Sequence, residues 1–346
     1  VISWQKVPLS APQKGQVLVE FMLSPINPSD INSIQGVYPI KPHFDEKAGY
    51  AIGGNEGLAR VVAVPDEEAA ESPLKVGDWV LPRQSGMGTW RSHGVFDASS
   101  LMALRHSPRP PPEFAATLRV NLCTAYRMLR DFVTLAPNEP VLQNAANSGV
   151  GQAVVQLARH WGHRSINIVR DEGFEAKAAM LKSLGADVVL RESELREASL
   201  AEKLAPATTT PGSDKVLQPR LALNAVGGPA TRDMLRLLGT GATVVTYGAM
   251  SRKPLELSAG SQIFSDLTAK GFWMTRWSRD APPGAQQEMI DDLISLNIAG
   301  HLKPVEAATH VTASQLDQAG PGGGDLVKTI LDAGSKHILD FEVADD

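Results

Sequence analysis

The spacing of apolar residues changes character once along this chain. Early on, Val17 to Leu23, Gly57 to Val64 and Asp78 to Leu81 read as short β-strands, punctuated by turn signals such as Val76-Gly77-Asp78. The stiff Ser107-Pro108-Arg109-Pro110-Pro111-Pro112 then leads into a helical, apolar stretch from Glu113 to about Phe132. Beyond it strands and helices alternate. The strand-like runs are Pro140 to Gln143, Ser165 to Arg170, Asp187 to Leu190, Pro219 to Asn224, Gly241 to Gly248 and Gly271 to Met274, with helical Met234 to Leu238 between two of them and a helix from about Ala285 to Ile298 at the end. Such alternation predicts an α/β protein with a doubly wound parallel sheet. Val305 to Val311 and His337 to Val343 look like strands again, so the tail is expected to return to the first domain. The expected division is a β-rich domain of residues 1–112 and 301–346 and a dinucleotide-binding domain of residues 113–300. Pro206 to Asp214 and Gly320 to Gly324 read as solvated insertions, and Asp66-Glu67-Glu68 as a solvated turn.

The stretch Asn144 to Gln152 sits at the first strand-to-helix junction of the alternating half. After it Val150, Ala153, Val154, Leu157, Ala158 and Trp161 recur at helical spacing. Backbone N–H groups at a helix start have no intrahelical partner and lie at the positive end of the dipole, so a bare turn there accepts a phosphate. Gly149 and Gly151 supply that bareness, although the third glycine of G-x-G-x-x-G is replaced by Val154. The second strand of such a fold ends beside the adenosine ribose, where an acid suits NAD and an arginine suits the 2′-phosphate of NADP. Here it ends in Val169-Arg170-Asp171-Glu172. Arg170 comes first and favours NADPH; the other reading makes Asp171 the ribose acid. Tyr247-Gly248-Ala249-Met250 ends the fifth strand, where the nicotinamide half of a dinucleotide belongs. Tyr247 otherwise reads as a strand-end aromatic.

Composition narrows the choice. With 346 residues, 43% hydrophobic and 21% charged, the chain suits two globular domains, and a net charge of −5 without basic clusters offers nucleic acid no footprint. No apolar run is long enough to span a bilayer. The chain begins at Val1, so a targeting segment is expected to be absent from it. Cys123 is the only cysteine, which excludes a multi-cysteine zinc site, and it reads as a small buried hydrophobe. Without a metal, another group must steady the substrate or supply a proton, and a phenol does either. Among four tyrosines, Tyr126 reads as core and Tyr38 lies in a loop-rich tract running from Pro25 to Gly57. A loop tyrosine of this kind either does chemistry or packs.

Pro25 to Asn32, Gly53 to Gly57, Asn121 with Cys123 to Arg127, Gln143 to Gln152 and Val169 to Asp171 together resemble the mitochondrial trans-2-enoyl thioester reductases, also called enoyl-[acyl-carrier-protein] reductases. These form the zinc-free branch of the medium-chain dehydrogenase/reductase superfamily, with Asn55 standing where zinc-dependent relatives have the histidine of Gly-His-Glu. The resemblance implies a GroES-like catalytic domain beside a Rossmann domain, the active site in the cleft between them, and a mitochondrial (matrix) homodimer. It implies NADPH-dependent reduction of the 2,3 double bond of enoyl thioesters carried on acyl carrier protein or coenzyme A. Tyr38 would be the proton donor. Cofactor contacts would fall on Asn121, Asn147, Ser148, Gly149, Val150, Arg170, Asp171, Glu172, Tyr247, Gly248, Ala249, Met250, Phe272, Trp273, Met274 and Lys336. Glu172 departs from the family's frequent second arginine and Ala249 from its glycine. An acidic carrier protein would need a basic patch, for which Arg83, Arg91, Arg276 and Arg279 are candidates. A quinone or enone reductase of the same superfamily, and a nucleotide-binding protein without turnover, are the alternative readings.

Overall fold

The computed structural model describes residues 4–42, 44–45, 49–65, 71–209, 216–306, 308–318 and 336–341. Two compact units emerge: Val1–Val120 with Thr275–Ile298 and Lys303–Asp346, and Asn121–Met274 with Ala299–Leu302. The helix Ala285–Ile298 has the bounds its spacing predicts, yet it groups with the first unit rather than with residues 113–300. Polar contacts fasten this segment, since the His106 ring lies 3.4 Å from Asp291 and the hydroxyls of Ser85 and Thr275 lie 3.1 Å apart.

The first unit is built on a seven-stranded sheet. Its order is Thr309–Thr312, His337–Asp340, Gln16–Ile26, Leu58–Ala63, Trp79–Pro82 and Leu101–Leu104, with His93–Asp97 also paired to Gln16–Ile26. All pairs are antiparallel except Thr309–Thr312 with His337–Asp340. Alternation from Gln16 to Leu23 sends Val17, Val19 and Phe21 into a core shared with Val61, Val80, Leu101 and Leu339. The tail does return, because Ile26 pairs with His337 and Leu23 with Asp340. The loop-rich tract holds a helix that periodicity did not reveal, Pro28–Ile34. Pro28 fixes a helical φ at its first turn, and the Asp30 carboxylate accepts from the N–H of Asn27 at 2.8 Å.

The second unit carries a six-stranded, fully parallel sheet ordered Val188–Arg191, Arg164–Val169, Pro140–Gln143, Leu221–Asn224, Thr243–Thr246, Thr268–Gly271. In chain order this is the 3-2-1-4-5-6 arrangement of dinucleotide-binding sheets. Apolar clusters cover both faces, one around Leu142, Ile168, Ala222 and Val244, the other around Ala146, Val155, Val169 and Leu181. The sixth strand lies three residues before its expected place. Thr268–Gly271 is an edge strand exposed at all four residues, so no apolar run marks it, and Phe272-Trp273 follow the sheet instead of forming it. Likewise the helix expected at Met234 to Leu238 is Gly228–Leu235. Pro206, Ala207 and Thr208, assigned to an insertion, end the helix Leu200–Thr208, where Ala207 is fully buried. Residues 66–68, 210–214, 320–324 and 342–343 lie outside the described residues. Cys123 is fully buried, and Tyr126 is buried edge-on against Trp161 at 5.3 Å. No helix among the described residues is long and apolar enough to cross a membrane.

Candidate active site

The helix Gly149–His160 begins directly beyond the first parallel strand, with the Ser148 hydroxyl accepting from the Gly151 N–H at 3.2 Å as its N-cap. Both glycines are closely approached by what surrounds them. A Cβ on Gly149 would lie 2.0 Å from Asn121 Oδ1, and one on Gly151 would lie 2.3 Å from the Ala146 carbonyl oxygen. Val154, at the third glycine position, is instead fully buried, so close helix–sheet packing there is reached with a side chain. The turn is braced from below by Gln143, whose Nε2 donates to the Gly151 carbonyl at 3.0 Å and to Asn167 Oδ1 at 2.7 Å. Asn147 contributes its carbonyl to Gln152 Nε2 at 3.1 Å, and Val150 stays half-buried at the helix start. The unpaired N–H groups of this first turn form a cradle for an anion.

One strand over, Arg170, Asp171 and Glu172 are all exposed. Asp171 accepts from the Ser193 hydroxyl and, at 3.3 Å, from the Ser193 N–H, and the hydroxyl bond holds its carboxyl below the usual range. Arg170 makes no hydrogen bond or ion pair with the described residues, and its charge acts on the half-buried Glu192. Lys177, a residue the sequence reading passed over, folds back so that its ammonium donates to the Glu172 carbonyl. A second cation therefore stands at the turn where Glu172 replaces an arginine.

The ends of the fourth, fifth and sixth strands are knitted by backbone bonds from Tyr247 to Asn224, Met250 to Ala225 and Phe272 to Thr246, at 2.9, 2.9 and 3.0 Å. Asn144 Nδ2 donates to Asn224 Oδ1 at 2.8 Å across the point where strand order reverses, the place where open α/β sheets bind ligands. The Tyr247 hydroxyl is buried facing Ser148 without a hydrogen bond of acceptable geometry, and burial pushes the phenol above its usual range. Gly248 is half-buried, and the Ala249 methyl that departs from the family's glycine is exposed, as is Met250. Phe272 stands edge-on to Phe132 at 6.0 Å, Trp273 is half-buried and Met274 is buried.

Tyr38 belongs to the first unit. It is half-buried and directly follows the helix Pro28–Ile34, whose Asn32 carbonyl accepts from both Val37 N–H (3.0 Å) and Tyr38 N–H (3.1 Å). Beneath that helix lies a cluster of buried charge. Asp30 Oδ1 accepts from Asn55 Nδ2 at 2.6 Å, Glu56 Oε1 from Asn27 Nδ2 at 2.7 Å, and Glu56 Oε2 from the Val120 N–H at 2.8 Å. Lys336, expected at the cofactor, donates to Asn27 Oδ1 at 2.7 Å and lies 3.9 Å from Glu56. Burial, reinforced by Glu56, pushes Asp30 up to about 7; burial also raises Glu56 and lowers Lys336. Of the basic candidates, Arg91 is largely spent on the Gly88 carbonyl at 2.6 Å and the Phe96 ring, and Arg83 donates to the Leu101 carbonyl at 2.9 Å. Arg279 pairs with Asp280 at 2.7 Å, and Arg276 is exposed.

Residues 13–105 match the alcohol dehydrogenase GroES-like domain family and residues 149–291 the zinc-binding dehydrogenase family. A human protein named mitochondrial enoyl-[acyl-carrier-protein] reductase is 44% identical over 303 residues, covering 87% of this chain and 76% of that protein. The chain belongs to the mitochondrial enoyl-[acyl-carrier-protein] reductase family. Solved structures of this family agree. That of Etr1p with NADP and crotonyl-CoA superposes with a TM-score of 0.83 at 28% identity, over 97% of this chain and 93% of that one. The Candida tropicalis Etr1p/Etr2p heterodimer gives 0.82 at 30% identity, over 96% and 92%.

The two groups these names imply fare differently on the residues present. Zinc does not fit: no cluster of three or more His, Cys, Asp or Glu among the described residues could hold a metal ion. Next to Glu56, Asn55 turns its NH₂ toward Asp30, and the Lys336 ammonium supplies the positive charge beside the acid. A dinucleotide fits. The Gly149 and Gly151 cradle, the unengaged Arg170 and the orphaned Tyr247 hydroxyl are each a feature that such a ligand would complete.

Proposed function

We infer that this protein is an NADPH-dependent reductase of the 2,3 double bond of trans-2-enoyl thioesters, carried on acyl carrier protein or coenzyme A, acting in mitochondrial fatty acid synthesis in the matrix. The observation that carries this is the 44% identity to enoyl-[acyl-carrier-protein] reductase over 303 residues, a span too long to fall within either unit alone.

NADPH, when bound, supplies the hydride that reaches Cβ of the substrate. The chain's own residues do the rest. N–H groups at Gly149 and Val150 hold the pyrophosphate, Asn121, Asn147 and Ser148 line that turn, and Arg170 with Lys177 answers the 2′-phosphate while Asp171 and Glu172 complete its rim. Tyr247, Gly248, Ala249, Met250, Phe272, Trp273 and Met274 bound the nicotinamide end. Lys336 joins the cofactor set through its charge. After hydride arrival the substrate is an enolate whose Cα needs a proton, and the Tyr38 phenol donates it. Unit roles follow: the first unit carries the proton donor and Lys336, the second the nucleotide-binding turn and the nicotinamide end. NADPH oxidation should proceed with crotonyl-CoA and not with a simple quinone. Turnover of the quinone alone would make this an enone or quinone reductase, and turnover of neither a nucleotide-binding protein.

The assembly is a homodimer joined through the edge strand Thr268–Gly271. That strand stands at the edge of its sheet and is exposed along its length, and Ile263 and Phe264 nearby are 71% and 83% exposed, a combination soluble monomers avoid. Phe264→Asp should shift the sedimenting species from dimer to monomer; an unchanged dimer would move the interface elsewhere.

A further inference from the structure

We propose that Asp30 is a positioning residue for Tyr38, fixing the helix Pro28–Ile34 from below so that its last turn presents the phenol. The inference rests on the reading of Tyr38 as proton donor. Asp30 is buried at 2% exposure and has both carboxylate oxygens engaged, Oδ2 by the Asn27 N–H at 2.8 Å and Oδ1 by Asn55 Nδ2 at 2.6 Å. It thus ties the first turn of the helix both to the chain entering it and to the Gly53-to-Gly57 loop. From the other end of the same helix, the Asn32 carbonyl takes the N–H groups of Val37 and Tyr38, and the Ser33 hydroxyl donates to the Ser29 carbonyl at 2.9 Å. A seven-residue helix is too short to hold its own geometry in water, so its direction is set by what grips its ends. Tilting it would carry Tyr38 along.

The surrounding charges explain why a carboxyl is tolerated there. Glu56 faces Asp30 from the loop before the strand Leu58–Ala63, and Lys336 faces both acids from the segment before His337–Asp340. Arg119 acts on Glu56 from the turn Leu118–Leu122. Two buried acids with one close ammonium leave room for one proton, and burial raises both acids. Lys336, reached across 309 positions of sequence, locks Asn27 through its Oδ1 and so completes the grip.

The test is a double-mutant cycle on the full-length protein. Asp30→Asn keeps the shape and loses one acceptor, and should lower kcat by about ten- to a hundredfold while the NADPH KM stays within about twofold. In a Tyr38→Phe background the same change should cost less than about threefold, because the group it positions is already disabled. Asp30→Asn with Asn55→Asp restores both hydrogen bonds, the Asn27 N–H still donating to residue 30 and the bond between residues 30 and 55 reversed in direction, and should recover most of the lost kcat. Equal losses in both backgrounds, or no recovery in the exchanged pair, would overturn the proposal. A readout free of turnover separates this from failure of the enzymatic reading. Hydrogen exchange at the Tyr38 N–H, which the Asn32 carbonyl holds, should accelerate in Asp30→Asn and revert in the exchanged pair; unchanged exchange at Tyr38 would also sink the idea, whatever the wild-type protein reduces.

Discussion

The cofactor turn and the Tyr38 loop are built by opposite means. Around Gly149 and Gly151 the structure makes room by leaving side chains out, so that backbone N–H groups do the binding and neighbouring atoms approach to distances no Cβ would permit. Around Tyr38 it fills space with buried acids, amides and an ammonium whose hydrogen bonds are nearly all satisfied internally. A binding surface for a large anion needs open, unspent donors, whereas a proton donor needs one group held still. The two regions should therefore fail differently when cut.

Tyr38→Phe offers the strongest break. Removing the hydroxyl should lower kcat by about 10² to 10⁴-fold, the usual worth of a general acid, with NADPH affinity near normal. A kcat within about threefold, less than 1 kcal/mol, would hand the proton to water or another group. On the binding side, Arg170→Ala should raise the NADPH KM by about ten- to a hundredfold, the range of a charged hydrogen bond, and leave the NADH KM nearly unchanged. Equal effects on both would make Asp171 the discriminating residue in spite of its bond to Ser193. Gly151→Ala forces a methyl toward the Ala146 carbonyl and should destabilise the fold by about 1–3 kcal/mol, visible as a lowered Tm even without cofactor.

The smallest effect sharpens the contrast through pH. Asp30, raised by burial from 3.8 to about 7, keeps its proton in the folded chain over a range where the unfolded chain releases it. Its contribution is thus fully present below the unfolded value and lost as pH rises through the folded one. Stability should fall by on the order of 1–2 kcal/mol between about pH 5 and pH 7 from this group alone. Asp30→Asn should flatten that slope in a series of thermal melts, whereas Gly151→Ala should leave it intact.

The same opposition explains what could be read in the sequence. The cofactor turn was legible because its logic is local: a strand, two glycines two positions apart and a helix lie within about twenty residues, and the 3-2-1-4-5-6 sheet follows from the alternation. Lys177 was missed because its signal is a side chain folding back five residues, with no spacing rule to announce it. The edge strand Thr268–Gly271 was displaced for want of any buried face. Tyr38 itself stood out only as a tyrosine in a loop. Its support escaped because the pairs Asp30–Asn55, Asn27–Glu56 and Asn27–Lys336 span 25, 29 and 309 positions, and the helix Pro28–Ile34 is too short to show a period. The resemblance to a family supplied the roles of both regions, but it described Lys336 only as a cofactor contact and left its bond to Asn27 unseen.

The 2.0 Å gap between a would-be methyl at Gly149 and the Asn121 amide oxygen also constrains history. Alanine at 149 meets the end of a side chain, so the Asn121 amide can swing aside for it, whereas a methyl at 151 meets the Ala146 backbone, which has nowhere to go. Among descendants of this chain, residue 149 should therefore change more readily than residue 151, and most readily together with residue 121.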